Sequence, residues 1–147
     1  MKSQTSTKTT LWAVRFFMLV LLALAVFAPK IVHWYVGIRL MEPTLGPVIL
    51  VSLYACVPAA AAALWSMDRL LFRFIRGEVF TKSNVRRIRL ISVCCALVSL
   101  VTVCGGVAYP PLWIVALLMA FLCLAVLVVA QILDAATIIQ EENDLTI

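Results

Sequence analysis

The residues able to do chemistry in this chain fall into two groups, a few embedded in apolar sequence and a dense set of charges flanking it. Five cysteines (Cys56, Cys94, Cys95, Cys104 and Cys123) lie within or at the ends of apolar runs. They form no CxxC pair and no histidine is interleaved with them. They read as small buried hydrophobes, and neither a disulfide framework nor a metal or redox set is indicated. His33 is the single histidine, and one histidine near a boundary is a poor metal or haem ligand set. No ionisable residue occupies the middle of any apolar run, whereas proton relays and ion-coupled carriers place one at depth. Neither an acid–base pair nor a nucleophile–base pair is visible. The expectation is no enzymatic activity, no catalytic residue and no resident cofactor or metal.

The flanking charges are sorted by sign. In MDRLLFRFIRG, Arg69, Arg73 and Arg76 recur at helical spacing while Leu70, Leu71, Phe74 and Ile75 fill the remainder. A basic stripe beside an apolar one suits a helix in a membrane headgroup layer. Arg86, Arg87 and Arg89 follow in the next segment, and Asp68 to Arg89 carries seven basic and two acidic residues. The C-terminal stretch has the opposite sign, with Asp134, Glu141, Glu142 and Asp144 and no basic residue. Arg73, Arg76, Arg86, Arg87, Glu141, Glu142 and Asp144 are therefore the candidate contacts for a partner or for lipid. Opposite fields on one side predict that the tail is held beneath the basic segment.

Those charges need elements to hold them. Of 147 residues 65% are hydrophobic and 13% charged, with mean hydropathy +1.11. Soluble domains carry about 25% charged residues, and a fold this small has no interior volume for so much apolar surface. A soluble enzyme and a disordered chain are both excluded. Four apolar runs, near 11–29, 48–67, 88–108 and 112–133, have the roughly 20 residues needed to cross about 30 Å of hydrocarbon as helix. The predicted fold class is an all-α integral membrane protein of four transmembrane helices, one domain over residues 1–147, with an acidic tail over 134–147. The first run is long and Ala28-Pro29-Lys30 is a poor cleavage site, so it reads as a retained helix rather than a signal peptide.

Orientation follows from charge. Ten of the twelve basic residues flank the first run's start or lie between the second and third runs, leaving only Lys30 and Arg39 for the first loop. Basic residues mark the cytoplasmic side. Both termini and the middle segment are therefore expected there, with an amphipathic cytoplasmic extension between helices two and three. Arg15 is expected to snorkel to the headgroups.

Local signals fill in the joints. Pro58 lacks an N–H and predicts a bend in the second helix, which its alanines place centrally. Gly77 closes that helix by adopting a left-handed conformation. Thr81 starts the next, its hydroxyl capping the N–H of Ser83 or Asn84, with Phe80 and Val85 as a hydrophobic staple. Gly105-Gly106 is expected to loosen the far end of the third helix. Ser92, Cys95, Ser99 and Thr102 are placed to face neighbouring helices.

The segment IRGEVFTKSNVRRIRLI, with a C-terminus reading EENDLTI, resembles the bacterial membrane-protein family of unknown function numbered 2975. The specific matches are Gly77, Phe80, Thr81, Asn84 and the basic run after them, plus Glu142 to Ile147. Members often have a proline where Val79 precedes Phe80. The resemblance implies four helices without an assigned activity. It also implies a partnership with a small helix-turn-helix regulator, because members are often encoded beside one. The expected location is the bacterial inner (cytoplasmic) membrane.

Two functions fit these readings. One is a non-catalytic membrane protein with a cytoplasmic protein-binding face, sensing or regulatory in role, in contact with membrane lipids and not with nucleic acid. The alternative is a small-molecule channel or transporter formed as a homo-oligomer, for which Pro58 and the alanine-rich helix are the sequence support.

Overall fold

The computed structural model describes residues 2–39, 42, 44–77 and 81–146, with side chains from residue 8 onward except at Arg39. Four helices account for nearly all of them: α1 (Lys2–Arg39), α2 (Leu45–Ile75), α3 (Lys82–Gly106) and α4 (Pro111–Thr146). Each is long and apolar enough to cross a membrane, and the chain is a multi-pass membrane protein. The outward-facing leucines, valines and phenylalanines, from Leu19 and Leu22 on α1 to Leu117 and Phe121 on α4, are then surface for lipid tails.

Consecutive helices run antiparallel. Arg15 meets Asp68 and Ala25 meets Tyr54 between α1 and α2. Ser99 meets Ala116, Ser92 meets Cys123 and Lys82 meets Glu141 between α3 and α4. Among the described residues, close helix–helix approach is confined to α1 with α2, α2 with α3, and α3 with α4. The arrangement is an open series in chain order, with α2 and α3 both internal. α2 is thus internal, as its alanines predict, although Ala61 and Ala62 are exposed.

Two apolar clusters lie at the end where α1 begins and α2 finishes. Leu11 and Val14 of α1 bury against Leu71 of α2. Leu70, Ile88 and Ala130 bring α2, α3 and α4 together in a second cluster. Phe74 packs on both. These contacts hold the arginine-rich end of α2 against the start of α3.

α1 runs through Pro29 to Arg39. Proline leaves the carbonyl four residues earlier without its helical donor, and the Tyr54 hydroxyl donates to that Ala25 oxygen at 2.9 Å. Satisfaction by a neighbouring helix is what allows a proline inside a spanning helix. Gly105 and Gly106 do not loosen α3: both are helical and buried. A Cβ at Gly105 would lie 2.6 Å from Ser52 Oγ, and one at Gly106 would collide with the Trp113 ring. These glycines permit close approach by α2 and α4.

Candidate functional site

The charged face is assembled at the end of the series that holds both chain termini. α2 ends in a tight turn in which Arg76 N–H donates to the Arg73 carbonyl at 3.0 Å and Gly77 N–H to the Phe74 carbonyl at 3.1 Å. Gly77 has φ +82°, a conformation that L side chains avoid. Phe80 lies outside the described residues, as do Glu78 and Val79, so the staple with Val85 does too.

Thr81 occupies the N-cap of α3 in an extended conformation, but its hydroxyl makes no capping hydrogen bond. The expected side-chain cap is corrected to a backbone one. The Thr81 carbonyl accepts from Asn84 N–H at 2.8 Å and from Val85 N–H at 3.3 Å. With the Asn84 donor already taken by a tight first turn, the hydroxyl is not needed there. Asn84 is 1% exposed and sits with Val85 in the packed start of the helix.

The acidic C-terminal stretch is helical to Thr146 as part of α4. Lys82 Nζ lies 3.1 Å from Glu141 Oε2, and Arg89 lies 4.0 Å from Asp134. Thr137, 2% exposed, returns its hydroxyl to the Leu133 carbonyl at 2.7 Å. A helix of 36 residues is about 54 Å long, well beyond the roughly 40–45 Å of bilayer plus headgroups. Its last turns carry exposed Ile138, Ile139 and Leu145 among the carboxylates.

The structure sorts the predicted residues into separate groups. Glu141 is held against α3, and Glu142 and Asp144 are exposed on the same extension. Arg86 is exposed and Arg87 half-buried on the first turns of α3, with Arg87 Nε buried and making no hydrogen bond. The three ion pairs among the described residues use Arg15, Lys82 and Arg89, and none uses Arg73, Arg76, Arg86 or Arg87. Arg15 does not simply reach for headgroups; its Nε donates to Asp68 at 3.2 Å.

On α2 the arginines part company. Arg69 stacks over Trp65 at 5.5 Å, and Arg76 over Phe72 at 4.5 Å. These four residues are exposed, whereas Arg73 is half-buried. The 65, 69, 72, 76 spacing was legible in the sequence, but counting only arginines hides it.

Pro58 lies within α2 and is exposed. An apolar groove of about 510 Å³ opens between α2 and α3, lined in part by Pro47, Val51, Ser52, Leu100 and Cys104. Pro58 does not line it. Among the described residues no three His, Cys, Asp or Glu side chains converge.

A family model described as "Protein of unknown function (DUF2975)" matches residues 40–147. No curated protein and no solved structure matches the chain.

Proposed function

This chain belongs to the family of proteins of unknown function DUF2975, and we propose that it is a non-catalytic membrane protein whose α3–α4 end docks a soluble regulatory protein. The observation that carries the reading is the acidic helical extension of α4, fixed to α3 by Lys82–Glu141 and Arg89–Asp134. It presents carboxylates and exposed Ile138, Ile139 and Leu145, with Ile138 and Leu145 seven residues apart on one face, on a preformed helix rather than on a free tail. Preorganisation lowers the ordering cost of binding, and apolar anchors ringed by charge are the usual make-up of a helix docking surface. Arg86 and Arg87 beside it add a basic margin.

The reading places this end in the cytoplasm of a bacterial cell, on the strength of the basic residues collected there. A small helix-turn-helix regulator is the partner that the family resemblance suggests. A photoreactive residue at Ile139 should crosslink one soluble regulator in the native membrane. Truncation of Glu141–Ile147 should abolish capture by a second photoreactive site at Gln140 without reducing insertion. Equal capture by the full-length and truncated chains would overturn the reading.

The alternative, a channel or transporter built from several copies, draws on the groove between α2 and α3 and on Ser52 at its wall. Solute flux into vesicles containing the purified protein, lost on filling the groove with Ala55→Phe, would favour it over docking.

A further inference from the structure

The exposed face of α2 that the docking reading leaves unused has its own chemistry. Trp65, Arg69, Phe72 and Arg76 follow one another at intervals of four, three and four residues, which places them in a single line along a helix. The aromatic residues stay open to the surroundings, Trp65 at 56% and Phe72 at 42% exposure. Each guanidinium lies over the ring preceding it. A guanidinium held over a ring gives up none of its N–H hydrogen bonds to that contact, and arginine can take a phosphate in a bidentate grip. The neighbouring carboxylate does not compete, because Asp68 is turned to α1 and holds Arg15.

Position along the helix points to the occupant. α2 has 31 residues, about 46 Å, which roughly matches a bilayer with both headgroup layers. With its first turn at one surface, Trp65 falls at the inner edge of the opposite hydrocarbon boundary and Arg69 to Arg76 in the headgroup layer. The indole of Trp65 suits that boundary, and arginine suits the phosphates beyond it.

We infer that the Trp65–Arg69–Phe72–Arg76 line is a binding site for the headgroup of an anionic phospholipid, the Trp65 ring contacting the acyl–glycerol region, the two guanidiniums the phosphate, and Phe72 holding Arg76 in place. The site is independent of the α3–α4 docking face and of the regulator assigned to it. Diffuse attraction to an anionic surface contributes about fivefold in affinity per basic residue, and the bidentate grip on phosphate adds to it at Arg69 and Arg76.

The test uses the full-length protein in nanodiscs containing phosphatidylcholine with a minor fraction of phosphatidylglycerol. Native mass spectrometry reads the phosphatidylglycerol retained on release. The wild type should enrich phosphatidylglycerol, and R69Q/R76Q should lose the enrichment by about tenfold or more. R86Q/R87Q, which alters the same net charge on α3, should lose much less. Equal losses from the two double variants would overturn the site in favour of a diffuse positive field, as would no enrichment by the wild type. A second measurement needs no variant: phosphatidylglycerol with a photoreactive headgroup should label the wild-type peptide spanning residues 65–76. Labelling confined to other segments would overturn the proposal.

Discussion

At the scale of single residues, the informative side chains are those that repair or exploit a defect in a helix. The Ala25 carbonyl lacks a donor because Pro29 has no N–H, and Tyr54 supplies one from α2. Tyr54→Phe should cost about 0.6–2 kcal/mol, the range of interhelical hydrogen bonds in membranes. In a Pro29→Ala background the helix has its own donor again, and the same substitution should cost close to nothing. Reversible unfolding in mixed micelles checks both, and an equal cost in the two backgrounds would refute the repair. Gly106 works by absence, since a methyl group there would meet the Trp113 ring. Gly106→Ala should destabilise by about 1–3 kcal/mol, as overpacking does, and Trp113→Ala should recover part of that loss. Thr81 is the contrasting case. Its hydroxyl caps nothing, so Thr81→Ala should cost less than about 0.5 kcal/mol, the lower end of the capping range.

At the scale of elements, α4 is longer than a bilayer is thick and stays helical to Thr146. Its extension has no bundle to bury it on all sides, so the contacts to α3 decide its order. Lys82 and Glu141 are 74% and 52% exposed, and exposed pairs contribute about 0–1 kcal/mol each. Replacing Asp134 and Glu141 by Asn and Gln should therefore leave global stability nearly unchanged. It should nonetheless raise amide exchange across Ile138–Thr146, because local opening there depends on few contacts. High salt should move the wild type toward the variant's exchange rates. Unaltered exchange in the variant would show that propensity alone orders this stretch. The α2 extension is held differently, through Leu70, Leu71 and Phe74 in apolar clusters, and its order should be insensitive to salt.

At the scale of the whole molecule, four antiparallel helices put both termini and the α2–α3 connection at one end. The proposed orientation is tested by single cysteines in a background lacking the five native ones. A membrane-impermeant reagent applied to intact cells should label a cysteine at Thr44 and spare those at Ser83 and Gln140. External labelling of Ser83 and Gln140 would reverse the molecule in the membrane. The open series matters for either functional reading. α1 and α4 each contact one neighbour along the backbone and leave apolar faces to lipid, while the ion pairs gather at a single end.

The number of long apolar helices was legible in the sequence because the hydrocarbon core imposes a length and bars unpaired backbone from it. The glycine closing α2 and the N-cap position of α3 were legible too, since backbone geometry at helix ends restricts residue type. Sorting Arg69 and Arg76 onto the exposed face, with Arg73 apart and half-buried, required the fold. So did the assignment of Tyr54 to Ala25, of Asp68 to Arg15 and of the paired glycines to Ser52 and Trp113. The reason is common to all of them. Periodicity states which residues share a face of one helix, but contact between helices depends on their order, axial offset and rotation. In a membrane those are settled by close packing of small residues and a few polar contacts rather than by burial of apolar surface. Apolar residues therefore point both to lipid and to neighbours, and only the tertiary structure separates the two.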